Sequence, residues 1–141
     1  MFLDLNQPKH AHVDARLRAE AILWLGTVRP NGRPHLVPVW FLWDGESISI
    51  YSQPDAQKLR NLAANPAVTV ALEALDEGGD VAIIEGEAQI AAVADAPAVA
   101  AAYIDKYAAA IADLGYTPEG MLAAYSRLIR VTPRRLLAWG D

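Results

Sequence analysis

Hydrophobic positions between Leu23 and Ser52 fall into three short runs separated by turn signals, which predicts three consecutive strands. The first runs from Leu23 to Val28. Arg29-Pro30-Asn31-Gly32 follows, with Pro suited to the second position of a type I turn and Gly to the left-handed position after it. The second strand runs from Pro34 to Trp43, Asp44-Gly45 is a hairpin signal, and the third strand runs from Glu46 to Ser52. A two-residue loop there pairs Phe41 with Ile48, Val39 with Ile50 and Val37 with Ser52 on one face. It pairs Leu42 with Ser47, Trp40 with Ser49 and Pro38 with Tyr51 on the other. Both faces of the second strand are apolar. One must fill a core, and the other must meet a helix, a ligand or a second subunit. A different loop type would move this register.

The flanking pattern supplies the remaining elements. Residues 1–10 read as an irregular arm in which Pro8 breaks any early helix. Val13, Leu17, Ala21 and Leu25 recur every four residues and predict an amphipathic helix from His12 to about Leu23. A short helix spans Pro54 to Ala64, with Asp55 as N-cap and Leu59, Leu62 and Ala63 as its inner stripe, and Asn65-Pro66 ends it. The fourth strand, Ala67–Leu75, carries Val68, Val70 and Leu72 in alternation. The fifth, Val81–Ala92, contains Gly86 at an expected bulge or corner. From Ala96 the period turns helical, with Val99, Tyr103, Tyr107, Ile111 and Leu114 on one face and Gly115 at the end. A helix from Pro118 to Tyr125 and a strand from Ser126 to Trp139, interrupted at Thr132-Pro133, complete the reading. The expected fold is mainly β: a small closed barrel of six antiparallel strands with helices between them, forming one domain over residues 1–141. Side chains fill a barrel of that size, so a ligand site belongs in a groove beside it.

Composition narrows the function classes. The chain has 141 residues, one domain's worth, and 53% of them are hydrophobic. A net charge of −5 lacks the basic footprint of a nucleic-acid surface. The absence of cysteine excludes disulfides, thiolate metal sites and a Cys nucleophile, and fits a reducing cytoplasm. The first ten residues have no signal-peptide core, and no run approaches the roughly 18 apolar residues of a membrane span. The expectation is a soluble cytoplasmic protein with neither nucleic acid nor membrane as partner.

Few residues are placed for chemistry. Pro38 cannot donate to a ladder, so it marks either an ordinary strand edge or backbone committed to a ligand along Val37-Pro38-Val39-Trp40. Ser52, Lys58 and Arg60 put a hydroxyl and two cations where a strand meets a helix start, which is workable for a phosphate and equally a solvated helix face. His35 has no acidic residue at motif spacing. His10 and His12 lack a third metal ligand, and Ser52 and Ser126 lack a neighbouring His. Neither a metal site nor a catalytic triad is expected. Trp40, Trp43 and Tyr51 are the aromatics closest to the expected groove.

Gly26-Thr27-Val28, the run Gly32 to Phe41, Lys58-Leu59-Arg60-Asn61-Leu62, Asn65-Pro66, Glu85-Gly86-Glu87-Ala88, Lys106-Tyr107 and Arg130-Val131-Thr132-Pro133 occur in an order that closely resembles the pyridoxamine-phosphate-oxidase-like split β-barrel proteins. The resemblance is best to the branch of coenzyme F420-dependent enzymes and covers nearly the whole chain. It implies an FMN-binding-like split barrel and a homodimer with cofactor sites between subunits. It further implies an oxidoreductase that moves a hydride between F420, or alternatively FMN, and a small planar substrate. The ring would lie along Leu36, Val37, Pro38, Val39 and Trp40 beside Tyr51. Ser52 and Lys58 would hold the phosphate, with Arg60 nearby, and no protein acid or base is required. A non-catalytic flavin or tetrapyrrole binder is the alternative within the same resemblance.

Overall fold

In the computed structural model, which describes residues 1–140, the β-runs form seven strands. They are β1 (Leu23–Val28), β2 (Pro34–Val39), β3 (Leu42–Trp43), β4 (Ile48–Ser52), β5 (Ala67–Leu72), β6 (Val81–Ala92) and β7 (Arg127–Trp139). One antiparallel sheet holds them in the order β2-β1-β5-β6-β7-β4-β3. The helices are α1 (Pro8–Ala19), α2 (Gln57–Ala64), α3 (Pro97–Lys106), α4 (Ala108–Asp113) and α5 (Pro118–Ala124). No helix among the described residues is long and apolar enough to cross a membrane.

The count is seven rather than six because the expected second strand breaks at Trp40-Phe41. Before the break, β2 pairs with β1, from Val28 opposite Pro34 to Leu23 opposite Val39. After it, β3 pairs with β4 at the other edge of the sheet. Three residue steps from Val39 to Leu42 reach at most about 11 Å, so the sheet curls until its edges approach each other. No ladder joins those edges among the described residues, so the expected closed barrel is an open-edged, curled sheet.

The expected hairpin register is also displaced. Leu42 faces Ser49 and Trp43 faces Ile48, so the loop is Asp44–Ser47 rather than two residues. The Asp44 carboxylate shapes it by accepting the Glu46 and Ser47 N–H groups at 2.9 and 2.8 Å. A shift of two residues preserves which side each residue faces. Phe41, Ile48 and Ile50 therefore still enter the core, fully buried with Leu23, Leu25, Ile129 and Val131. Full burial of each such side chain contributes about 1.5–3 kcal/mol. The expected pairs Val39–Ile50, Val37–Ser52, Trp40–Ser49 and Pro38–Tyr51 are absent, since β2 lies on β1 and Ser52 faces Arg127.

Local chemistry explains the other differences. Pro8 opens α1 instead of breaking it, because a first-turn residue has no N–H to contribute to the helix. The helix stops at Ala19, ahead of β1, and Ala21 is exposed. Asp55 does not cap α2, which begins after Ala56 without a side-chain cap. Leu59 and Leu62 point inward as expected, but Ala63 is exposed. Asn61 is buried, donating from Nδ2 to Thr27 Oγ1 at 2.9 Å. β5 ends at Leu72, three residues early, ahead of a 3-10 turn at Asp76–Gly78. The register between β6 and β7 shifts at Glu85/Gly86, which lets β7 run unbroken through Thr132-Pro133. Gly86 is required there, since a Cβ would lie 2.4 Å from the Thr132 carbonyl oxygen. The expected helix over 96–114 divides at Tyr107 into α3 and α4, and Leu114 is exposed.

Candidate functional site

The curl of the sheet leaves a groove of about 240 Å³ where β2 ends. Pro38, Val39 and Trp40 line it from one side. Tyr51 enters from β4 and Lys58 from the first turn of α2. Tyr103, Leu114, Met121 and Tyr125 cover it from the helical insertion. The walls are therefore largely aromatic and aliphatic, as in most small-molecule sites.

Two polar atoms in this lining lack partners. The Lys58 ammonium is half-buried, and no carboxylate among the described residues lies within ion-pair distance of it. Burial holds its pKa below the ordinary lysine value with no opposing charge. The Tyr51 hydroxyl is buried with no hydrogen-bond partner. Burial also raises its pKa, against a smaller opposing effect of Arg130, so the phenol stays protonated and can donate. A desolvated cation and an unmatched donor in an apolar slot suit a planar anion. The titratable side chains of the groove lining are Lys58, Tyr51, Tyr103 and Tyr125.

A second, more open depression of about 590 Å³ lies toward the start of β2. Pro34, His35 and Leu36 line it, opposite Gly26, Thr69, Gly86 and Arg134. His35 Nδ1 is buried there without a partner. Desolvation first, then the charges of Arg29 and Lys58, hold the imidazole below its usual pKa and therefore neutral at pH 7.

Five of the nine sequence candidates thus meet in one groove: Pro38, Val39, Trp40, Tyr51 and Lys58. Leu36 faces the second depression, and Val37 lines neither. Ser52 is fully buried behind the groove, its Oγ donating to the Gln53 carbonyl at 2.9 Å. Arg60 is exposed and committed locally, donating at 2.7 Å to the Asp55 carbonyl and to Gln57 Oε1.

Lys106 and Tyr107 belong to this region, although the residues alone gave them no role beyond one helical face. Tyr107 Oη accepts the Phe41 N–H at 2.9 Å and donates to the Ala21 carbonyl at 2.7 Å. Lys106 Nζ donates to the Phe41 carbonyl at 2.9 Å and sits 3.9 Å from the centre of the Phe41 ring. Burial pulls the Lys106 amine down to about 8, with Glu20 opposing, and pushes the Tyr107 hydroxyl up to about 12. The Trp40 indole stacks on the Tyr107 ring at 4.5 Å with 3° between planes. The usable signal was the pair Tyr103 and Tyr107, one helical turn apart in an Ala-rich segment.

Comparison with known proteins places this geometry in context. The family model for pyridoxamine 5'-phosphate oxidase matches residues 10–140. An F420 reductase superposes with a TM-score of 0.69 and is 28% identical, over 88% of this chain and 94% of its own. A conserved hypothetical protein from Mycobacterium tuberculosis gives 0.73 at 25% identity, over 92% and 82%. The heme storage protein HutZ from Vibrio cholerae gives 0.72 at 19% identity, over 94% and 95%, a likeness of fold alone. No curated protein sequence matches the chain.

Proposed function

The chain belongs to the pyridoxamine 5'-phosphate oxidase family, and from that premise we propose that it is an oxidoreductase using coenzyme F420, with FMN as the alternative. The substrate is a small planar acceptor or donor of hydride. The observation that carries this reading is the half-buried, unpaired Lys58 ammonium at an aromatic-walled groove. It fits the phosphate of either cofactor, while Pro38, Val39 and Trp40 supply a flat wall for a ring. The unmatched Tyr51 hydroxyl fits a ring carbonyl. The bound deazaflavin or flavin supplies the hydride carrier. The protein's own residues anchor the anion, orient the ring and keep water from the apolar walls. Likeness to an F420 reductase at 28% identity favours F420 over FMN.

The reading includes a homodimer. Pro38, Trp24, Ala71, Ile83 and Leu137 stand opposite one another across five strands, forming one row on a single face of the sheet. Leu137 is 50% exposed and Leu36, on the neighbouring row, 63%. A second copy of the chain would cover this row and complete the sites, in a cytoplasmic protein. The test is a pair of calorimetric titrations of the purified protein, one with F420 and one with FMN. Tight F420 and weak FMN binding is expected; the reverse moves the protein to FMN, and binding of neither removes the reading.

One observation favours a second reading, a tetrapyrrole binder without turnover. His35 presents a neutral imidazole with an unmatched Nδ1 beside an open depression, in a fold shared with a heme storage protein. Titration with haemin and with its His35→Ala variant decides it: a Soret shift lost in the variant supports this reading.

A further inference from the structure

Phe41 is completely buried, yet Trp40 and Phe41 belong to no strand. A buried peptide outside a ladder must find partners for its N–H and C=O, or cost about 1–3 kcal/mol for each group left unmatched. Both are met from one place, the junction of α3 and α4. Tyr107 Oη takes the N–H, and Lys106 Nζ donates to the C=O. The same Tyr107 hydroxyl donates to Ala21, just before β1, and so ties the crossover to the chain entering the strand next to the β2 edge. Where the crossover has no ladder partner, two side chains supply its hydrogen bonds. The residue immediately before this clamp is Trp40, whose indole lies flat on Tyr107 and lines the groove. Tyr103 extends the aromatic layer, 5.0 Å from Tyr107 and 4.6 Å from Tyr51 between ring centroids.

We propose that Lys106 and Tyr107 are positioning residues for the groove: they fix the Trp40-Phe41 crossover, and with it the Trp40 wall against which a planar ligand lies. This rests on the reading of that groove as the cofactor site. Neither side chain lines the groove, so each acts through Trp40. The ammonium over the Phe41 ring adds a cation–π contact to the hydrogen bond, so the amine is held from two directions.

The experiment uses the full-length chain with three substitutions. Tyr107→Phe removes only the hydroxyl, Lys106→Met removes the charge at similar length, and Lys106→Arg restores a donor and a cation. Two quantities are read below the melting temperature of each variant. They are hydrogen exchange of the Phe41 amide and the dissociation constants for F420 and FMN. Tyr107→Phe and Lys106→Met are expected to speed Phe41 exchange and to weaken the bound cofactor at least tenfold, and Lys106→Arg to recover most of that loss. Faster exchange with affinities unchanged within twofold would overturn the inference, as would unchanged exchange. Lys106→Met, at a half-buried position, keeps the test open should Tyr107→Phe fail to fold. If the unaltered protein binds neither cofactor, the cofactor reading fails separately. Phe41 exchange and the near-ultraviolet circular dichroism of the Trp40–Tyr107 stack then decide the clamp alone, and no change in either overturns it.

Discussion

The charge buried beneath α1 and the charge at the groove are treated in opposite ways. Beneath α1, Arg16 is 7% exposed and fully engaged, with Glu20, with Asp80 Oδ1 at 3.0 Å and with the Glu73 carbonyl. Asp80 in turn binds His12 Nε2 at 2.7 Å. This cluster locks α1 to the turn between β5 and β6. At the groove, Lys58 has no such partner, and Tyr51 Oη and His35 Nδ1 are unmatched within or beside the same region. A fold that satisfies one buried guanidinium three times over has no difficulty pairing charges. The unpaired groups lie along the two depressions at the ends of β2, where the proposed reading gives them a bound molecule as partner.

The largest effect expected from this contrast is on stability. Asp80→Ala should cost about 3 kcal/mol in urea unfolding, since it strips the buried Arg16 of a partner, and should leave cofactor affinity unchanged. A loss of affinity as well would merge the two regions into one functional unit. The same carboxylate sets an acid limb. Its hydrogen bond to His12, then the charges of Arg16 and His12, hold its pKa below the ordinary 3.8 in the folded protein. The associated stability is fully present above 3.8 and is lost as pH falls through the lower folded value. Unfolding free energies measured below pH 5 should show this limb, and Asp80→Asn should flatten it.

Effects at the groove should fall on binding instead. Lys58→Ala is expected to weaken cofactor binding by about 1.5–3 kcal/mol with no loss of stability, read by calorimetry and thermal unfolding side by side. A stability loss as large as that of Asp80→Ala would break the contrast. Tyr51→Phe removes an unmatched hydroxyl and should raise the stability of the free protein by about 1 kcal/mol while lowering affinity. Arg60→Ala is expected to change either quantity by less than about 0.5 kcal/mol, because its exposed guanidinium is spent on its own helix start.

How far these features were legible in the chain depended on whether their causes were local. β1 and β6 run where the turn signals and alternation put them, Leu23–Val28 and Val81–Ala92. The bulge at Gly86 was readable because only a residue without Cβ tolerates that approach. The break at Trp40-Phe41 was not. An unbroken apolar run hides a change of pairing partner, and the groups that stabilise it lie 65 and 66 residues away. The place of Lys58 in the groove lining was readable from its position after a strand and turn. The local engagement of Ser52 and Arg60 was not, because it depends on short-range hydrogen bonds to Gln53, Asp55 and Gln57. Asp55 failed as a cap because the N-cap position of α2 falls one residue later, on Ala56.

The most direct test is to follow backbone and Lys58 side-chain nuclear magnetic resonance signals of the full-length chain while F420, and separately FMN, is added. The account predicts the largest shifts at Lys58, Tyr51 and the run from Pro38 to Trp40, with Arg16 and Asp80 unmoved. Shifts centred instead on Gly26, Thr69 and Gly86, with Lys58 silent, would contradict it and move the binding site to the depression at the start of β2.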